Sequence, residues 1–201
     1  MALIEFIGIR GGHGTTTVAL AAAATLATRG PTTISTHDRR ALCATVGIAA
    51  DGLPMPVAEN LELTEGDDAD VIDAGILDAQ LTDHLPDGEC RNAPGARTAV
   101  LHIGVLRGPD YLGMRTLCEH SEAVLDGVVV FSEPDRALDA RDVEHVTGRE
   151  VVAVVEQSPG VARIIDAGLF MSRVTRLREF TQLRDWITEI VTQETPCSAL
   201  T

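Results

Sequence analysis

Lysine is absent from this sequence of 201 residues: all 16 basic residues are arginines, and the 30 acidic residues leave a formal net charge of −14. The absence excludes Schiff-base chemistry, a lysine general base and the lysine that usually grips phosphate in nucleotide sites. The acidic balance disfavours nucleic acid and anionic lipid as partners unless arginines are concentrated locally. The exclusive use of arginine, together with abundant alanine, is typical of a GC-rich bacterial genome.

Cysteine is scarce as well, and its four copies form no recognisable site. They stand far apart, with no Cys-x-x-Cys pair and no histidine at zinc-ligand spacing, which excludes metal clips and redox motifs. The four are Cys43, Cys90, Cys118 and Cys197. Long hydrophobic runs are also lacking: the N-terminus shows no signal-peptide pattern, and no apolar stretch is long enough to cross a bilayer. We therefore expect a reduced, cytoplasmic protein.

The chain is long enough for one domain with a sizeable core, and in its first half short apolar runs alternate with helical segments. The first helix is alanine-rich and is closed by Gly30 and Pro31. The predicted elements are a strand at Leu3–Ile9, a helix at Thr15–Arg29, a strand at Thr32–Thr36, a helix at Arg39–Val46, a loop from Gly52 to Gly66 with one edge strand near Leu61–Leu63, and an apolar run at Ala69–Asp73.

The second half repeats the alternation more regularly. Its strand candidates are continuously apolar, which indicates strands covered on both faces and hence a parallel sheet. The predicted elements are strands at Thr98–Leu106, Gly127–Phe131 and Val151–Val155, helices at Pro109–Ala123, Ala137–Thr147, Val161–Ala167 and Arg176–Thr192, and a loop at Pro86–Arg97. We expect one α/β domain over residues 1–195, a doubly wound, mostly parallel sheet flanked by helices, with residues 196–201 as a C-terminal tail.

A glycine-rich turn from Ile9 to Thr17 joins the first predicted strand to the first helix. Such a turn aims backbone N–H groups and the helix dipole at one point, which suits a phosphate. Glycine is needed there because a Cβ atom would hinder both the unusual dihedral angles and the close approach of an anion. Tight packing of the helix on the strand also favours glycine, so the turn by itself leaves both interpretations open.

The wider pattern around this turn resembles the deviant Walker A motif of the MinD/ParA family, Lys-Gly-Gly-x-Gly-Lys-Thr-Thr. The corresponding residues are Arg10, Gly11, Gly12, His13, Gly14, Thr15, Thr16 and Thr17. Ala69–Gly75 resembles the family's Walker B strand, and Arg107–Leu112 and Pro159–Gly168 are similar to later parts of its fold. The resemblance covers nearly the whole chain. It implies a P-loop NTPase fold, residues 10–17 as a binding loop for ATP or ADP with Mg²⁺, and a homodimer.

Both lysines of the family motif are replaced. The phosphate-binding Walker lysine falls on Thr15, whose neutral hydroxyl cannot supply a charge-assisted contact worth about 1.5 to 3 kcal/mol. Affinity for a triphosphate should therefore drop by roughly one to two decades. Arg10 occupies the position of the signature lysine, which in the family reaches across the dimer to the partner's phosphates, and an arginine fork suits phosphate. A solvated arginine beside a loop is the alternative.

The resemblance also assigns metal and switch residues. Thr16 matches the family's magnesium-binding hydroxyl and Asp73 its Walker B acid; the alternatives are a threonine in the first helical turn and an aspartate that caps a turn. Of the family's Asp-x-Asp, whose later acid orients the attacking water, only Asp38 remains, and a slip of one residue would place His37 there instead. Asp38 could equally cap the helix that follows. His13 lies at the variable position of the motif, where a surface histidine is the favoured interpretation.

Three functions fit these residues. The first is a degenerate MinD/ParA-like protein, a dimerising positioning or regulatory switch with weak nucleotide binding and negligible hydrolysis. The second is a nucleotide-free pseudo-ATPase scaffold that binds a protein partner, and the third is an active ATP-dependent enzyme, which the missing lysine disfavours. A protein partner is expected, and DNA is disfavoured. Membrane contact would be peripheral at most, because the segment from Arg173 to Glu194 balances four arginines against four acids.

Overall fold

The computed structural model of the chain describes residues 3–49, 52–66, 68–77, 100–119 and 125–193. The strands are β1 Leu3–Gly8, β2 Thr32–Thr36, β3 Met55–Ala58, β4 Leu61–Leu63, β5 Val71–Ile76, β6 Val100–Arg107, β7 Gly127–Ser132 and β8 Val151–Glu156. The helices are α1 Thr15–Ala27, α2 Arg39–Val46, α3 Tyr111–Glu119, α4 Ala140–Thr147, α5 Pro159–Asp166, α6 Phe170–Arg173 and α7 Thr181–Gln193. Two short 3₁₀ helices, Val174–Arg176 and Arg178–Phe180, lie between α6 and α7.

The strands form one sheet in the order β3-β4-β2-β5-β1-β6-β7-β8. Neighbouring strands run parallel except at one edge, where β3 and β4 are antiparallel. Parallel neighbours need crossover connections, and these place helices on the faces of the sheet. The predicted doubly wound, mostly parallel α/β fold is confirmed.

Helices cover both faces of the sheet because alternate side chains of each strand point into two separate cores. In β1, Ile4 and Phe6 lie in the larger core, which α1 and α7 share, while Ile7 lies in the smaller one. Helices α3 and α4 contribute Met114 and Val143 to that smaller core. The sheet is therefore held between two helical layers, and its strand ends are fixed relative to the helices.

Helix α1 lies in the larger core and fixes the position of the glycine turn. It has 13 residues, most of them alanine or other apolar residues, and nearly all are buried. Alanine combines high helix propensity with a small side chain, so the helix forms readily and approaches the sheet closely. The buried hydroxyl of Thr25 donates to the carbonyl oxygen of Ala21 at 2.8 Å, which satisfies it. A helix buried in this way holds its N-terminus rigidly beside β1.

The segment Gly52–Gly66 differs from its prediction. It contains two strands rather than one, because Met55–Ala58 pairs with Leu61–Leu63 as an antiparallel hairpin. Asn60 takes a positive φ of 59° at the turn, a conformation that asparagine tolerates better than most residues. Proline and glycine in this segment favour a loop, but Pro56 is acceptable in the edge strand β3, where its missing N–H has no ladder partner to lose.

The helix predicted at Arg176–Thr192 is also shorter than expected. Helix α7 begins at Thr181, and two 3₁₀ turns precede it. Phe180 and Leu183 are buried as the apolar spacing predicts, but such spacing does not distinguish one continuous helix from consecutive short turns. In the same way, the helix predicted from Ala137 begins at residue 140, because Asp139 caps it.

Some predictions concern segments outside the described residues. These are the loop at Pro86–Arg97, the C-terminal tail 196–201 and the end of the helix predicted to reach Ala123. Among the helices that the structure describes, none combines the length and apolar character needed to cross a membrane.

Candidate functional site

The glycine turn lies at the carboxyl edge of the sheet, at the end of β1. Strand β1 lies between β5 and β6, so the chain connections on its two sides run in opposite directions. In open α/β sheets, ligands bind in the crevice that opens at such a switch point. The turn, the end of β5 and the end of β6 meet at this crevice, and they form the candidate site.

The backbone of the turn is shaped to leave N–H groups available. Gly12 and Gly14 have φ values of 77° and 85°, in the region that favours glycine. Gly14 is the N-cap of α1, where no side chain caps the helix and no acidic residue occupies its first turn. The partial positive charge of the helix N-terminus is therefore not neutralised by a carboxylate of that turn, an arrangement that favours an anion.

Two aromatic side chains hold the turn in this shape. A Cβ atom on Gly14 would lie 2.8 Å from the ring of Phe131, so the ring packs directly on the glycine. The Nδ1 atom of His13 lies 3.3 Å from the carbonyl oxygen of Val105. His13 is buried, and the interpretation as a surface histidine is wrong. Burial lowers the pKa of His13, and the nearby Arg10 guanidinium lowers it further, so the ring is neutral at pH 7.

Thr16 and Asp73 meet beside the turn, as the resemblance implies. The hydroxyl of Thr16 donates to Oδ2 of Asp73 at 2.7 Å, and the hydroxyl of Thr36 donates to the same oxygen at 2.9 Å. Asp73 is 1% exposed, and its Oδ1 atom has no hydrogen-bond partner among the residues described. Burial raises the pKa of Asp73; the hydrogen bonds from Thr16 and Thr36 and the nearby backbone N–H of Gly75 oppose this effect, and the Asp38 carboxylate adds to it.

This pair fits a magnesium ion bound together with a phosphate. A buried carboxylate oxygen without a partner is costly, and a cation beside it would remove that cost. Mg²⁺ in phosphate sites takes only one or two protein oxygens and completes its shell with waters and phosphate oxygens. No cluster of three or more His, Cys, Asp or Glu side chains suited to a metal occurs within the described ranges.

Thr36 was missed as a site residue by the sequence analysis. It is the register partner of Asp73 across β2 and β5, which places the two side chains on the same face of the sheet. The signal that could have found it is the parallel register of the two strands. A register depends on which strands are neighbours, and the order of strands is not visible in the sequence.

Thr15, at the position of the family's Walker lysine, packs against the end of β1. It is buried, and its hydroxyl oxygen occupies the place that a Cβ atom on Gly8 would take, so it faces the backbone of β1. The side chain therefore fills the space between strand and helix, and its hydroxyl does not substitute for the lysine.

The two charged residues assigned from the resemblance lie at the rim of the crevice. Arg10 is half-exposed, and its Nη1 atom lies 3.8 Å from Oδ1 of Asp110. Asp38 caps α2, where its Oδ1 atom accepts a hydrogen bond from the N–H of Ala41 at 2.9 Å. The capping alternative is thus observed for Asp38, and the carboxylate still lies within electrostatic range of Asp73.

The packing of Phe131 on Gly14 predicts unequal costs for alanine at the two left-handed glycines. Gly12→Ala should cost about 1 to 2 kcal/mol for the backbone conformation alone, because no other atom lies within 4 Å of the added Cβ. Gly14→Ala should cost about 1 to 3 kcal/mol more, since it also displaces Phe131. Urea unfolding of both variants measures the difference. In a cycle with Phe131→Ala the extra cost should disappear; equal costs at Gly12 and Gly14 would contradict the packing.

No protein-family model matches the sequence, and no curated protein matches it by sequence. Its structure is similar to those of several solved proteins, three of which follow. A MinC:MinD cell division protein complex from Aquifex aeolicus has a TM-score of 0.66 and 14% identity, with 98% of each chain covered. The septum site-determining protein MinD with Mg-ADP from Pyrococcus horikoshii has a TM-score of 0.63 and 15% identity, covering 94% of this chain and 95% of that one.

A ParA family ATPase from Chlorobium tepidum has a TM-score of 0.59 and 12% identity, covering 95% of this chain and 97% of that one. The three matches span nearly the full length of both chains. They establish that the fold resembles that of MinD and ParA proteins throughout, and at these identities they establish the fold alone.

Proposed function

We propose that this chain, which has the MinD/ParA fold, is a degenerate nucleotide switch: it binds ATP or ADP with Mg²⁺ weakly, dimerises in the bound state and acts as a positioning or regulatory protein with negligible hydrolysis. The observation that carries the proposal is the Thr16–Asp73 pair beside the glycine turn, with one buried carboxylate oxygen left without a partner in the described structure. The likeness to a MinD structure that contains Mg-ADP supports the same cofactor.

The residues of the turn have separate roles in this proposal. The backbone N–H groups from Gly11 to Thr17 bind the phosphates at the N-terminus of α1. Thr16 and Asp73 hold the metal ion, which when bound draws charge from the phosphate oxygens. His13 and Phe131 keep the turn in its shape, so the ligand does not have to order it.

Weak binding and negligible hydrolysis follow from two departures. Thr15 supplies no positive charge and faces β1, so the charge that builds on a transferring phosphoryl group is not neutralised from this position. Asp38, the residue assigned to orient water, already has one oxygen engaged in capping α2. With the transition state less stabilised and the acid constrained, the bound nucleotide acts as a signal rather than as a substrate.

Dimerisation is supported by apolar side chains around the turn. Ile76, Tyr111 and Leu112 are 51%, 70% and 53% exposed. A Cβ atom on Gly11 would lie 3.5 Å from Cδ1 of Ile76, and Tyr111 and Leu112 follow the residue that faces Arg10. Exposed apolar groups gathered at one place mark association surfaces. A second copy packed on this face would bring its own Arg10 towards the bound phosphates.

The expected behaviour can be measured on the purified chain. Titration with MgATP in a calorimeter should give weak binding that needs Mg²⁺, and sedimentation should show monomers converting to dimers when MgATP is present. ATP turnover should equal that of the Asp73→Ala variant. Turnover above background that disappears in Asp73→Ala would contradict negligible hydrolysis, and binding without any change in assembly would contradict the switch.

A second candidate is a nucleotide-free scaffold that binds a protein partner. The replacement of the Walker lysine by Thr15 favours it, because a neutral side chain that packs against Gly8 supplies no charge to a phosphate. The similar MinD structure in complex with MinC supports a protein as the partner class, and the net charge of −14 disfavours DNA. Absence of any MgATP binding at millimolar concentration, with unchanged assembly, would favour this candidate over the first.

A further inference from the structure

The site contains one guanidinium group that the motif does not assign. Two arginines lie close enough to the turn to lower the pKa of His13, namely Arg10 and Arg107. Arg10 belongs to the motif, but Arg107 does not: it is the last residue of β6, the strand that pairs with β1 on the side opposite Asp73. An arginine at this strand end therefore stands beside the turn from a different part of the chain.

Arg107 is held against the turn by two contacts. Its Nη1 atom lies 3.4 Å from the carbonyl oxygen of Gly12, to which it donates. Its Nε atom donates to Oε1 of Glu133 at 2.9 Å. Within the part of the chain that the structure describes, Nη2 has no hydrogen-bond partner, and the side chain is 42% exposed. The guanidinium is thus anchored at one edge and available at the other.

Glu133 is a suitable anchor for this arginine. Arg136 and Arg107 both bind its carboxylate, and these two cations lower the pKa of Glu133. An ionised carboxylate held between two arginines fixes the direction of the Arg107 side chain and reduces the rotamer freedom it would lose on binding a ligand. Arg136 contacts Glu133 but none of the turn residues in the contacts described, which makes it the matched control.

We propose that Arg107 supplies the positive charge that the missing Walker lysine would have supplied, binding the terminal phosphates of a nucleoside triphosphate from the β6 side of the turn. The inference rests on the proposed nucleotide function and adds the residue that makes binding possible without a lysine. Arginine suits this task because its planar fork can keep its contacts with Glu133 and Gly12 and still present N–H donors to a phosphate. Across the turn, the Oδ1 atom of Asp73, which has no hydrogen-bond partner among the described residues, would hold the metal.

The test compares Arg107→Gln with Arg136→Gln, using calorimetric titration with MgATP and with magnesium tripolyphosphate, which has no base or sugar. Loss of a charge-assisted contact predicts that Arg107→Gln binds both probes about tenfold to a hundredfold more weakly than the wild-type chain. Arg136→Gln should stay within about threefold, because an ion pair in a solvent-exposed turn contributes little. Arg107→Lys should retain more affinity than Arg107→Gln, since it keeps the charge.

Three outcomes would overturn the inference. If the wild-type chain binds MgATP and Arg107→Gln binds it equally well, the proposed function stands and Arg107 has no part in it. If Arg107→Gln and Arg136→Gln lose affinity equally, the cluster around Glu133 acts only through the local structure. If the wild-type chain binds neither probe, the proposed function itself fails and this inference fails with it. A Thr15→Lys/Arg107→Gln double variant that recovers wild-type affinity would support the substitution of one cation for the other.

Discussion

The Thr15→Lys variant should bind MgATP about tenfold to a hundredfold more tightly than the wild-type chain. A lysine at this position restores a charge-assisted contact to phosphate, worth about 1.5 to 3 kcal/mol, which corresponds to one to two decades in affinity. The wild-type threonine contributes no such contact, because its hydroxyl faces the backbone of Gly8. Calorimetric titration of the two proteins with MgATP under the same salt conditions measures the gain.

The control for this prediction is Thr17→Lys. It adds the same charge to the same helical turn, next to Thr16, so any gain from general attraction between a cation and a nucleotide should appear in both variants. A specific lysine contact predicts a gain for Thr15→Lys and a change of less than about threefold for Thr17→Lys. Equal gains would mean that the added charge attracts the nucleotide without a specific contact between residue 15 and its phosphates, and they would contradict the interpretation of the turn as a phosphate-binding loop.

The Asp73→Asn variant should lose the Mg²⁺ dependence of nucleotide binding. An asparagine can keep the hydrogen bonds from Thr16 and Thr36 through its amide oxygen, so the local structure should persist. It removes the negative charge that would attract the metal. We expect ATP affinity measured with and without Mg²⁺ to become equal in the variant, whereas wild-type affinity should rise at least about tenfold when Mg²⁺ is added, an effect of about 1.4 kcal/mol or more.

Asp73→Asn should also change how the free energy of unfolding depends on pH, and the burial of Asp73 determines the sign of that change. Burial raises the pKa of Asp73 in the folded protein. From about pH 4 upwards the unfolded chain therefore loses this proton before the folded chain does, and the free energy of unfolding falls as pH rises through that interval. Asp73→Asn removes this pH-dependent decrease in the free energy of unfolding. In the absence of metal, the stability of the variant relative to wild type should therefore be higher at pH 7 than at pH 4. Urea unfolding of both proteins at the two pH values measures the difference.

Asp70 offers a control, because it is buried like Asp73 but lies apart from Thr16 and the glycine turn, against Thr33. Its Oδ2 atom accepts hydrogen bonds from the N–H and the hydroxyl of Thr33, at 2.7 and 2.9 Å. Asp70→Asn should leave the Mg²⁺ dependence of binding unchanged and should not become more stable than wild type at pH 7. If both substitutions gave the same pH profile, Asp73 would be an ordinary structural aspartate and its unpartnered oxygen would carry no functional meaning.

A residue whose replacement stabilises the empty protein and abolishes metal-dependent binding is characteristic of a functional site. Asp73 is expected to behave in this way because its charge is buried without full compensation. Thr15 is the opposite case: its side chain packs in the interior and supplies no charge to a ligand. Evolution at these two positions would then have kept the metal side of the site and replaced the lysine with a residue that fills the interior, with Arg107 as the proposed remaining cation.

Local patterns predicted most of the strands and helices correctly. The turn at residues 10–14, the alanine-rich helix after it and the apolar strands are signalled by side chains a few residues apart, because helix and strand periodicities are local. The hairpin at Met55–Ala58 and the 3₁₀ turns before Thr181 were missed for a complementary reason. A proline is compatible with a strand only when that strand lies at the edge of the sheet, and the position of a strand in the sheet is not a local property. Short 3₁₀ turns share the apolar spacing of a helix, so that spacing does not separate the two.

The candidate site divides in the same way. The sequence alone determined the glycine turn, the loss of both motif lysines and the presence of Thr16 and Asp73, because these depend on residue type and position in a motif. The tertiary structure decided that Thr36 shares the Asp73 carboxylate, that Thr15 and His13 face inward, and that Arg107 stands against Gly12. These contacts join segments from different strands, and they depend on strand order and register, which long-range packing fixes.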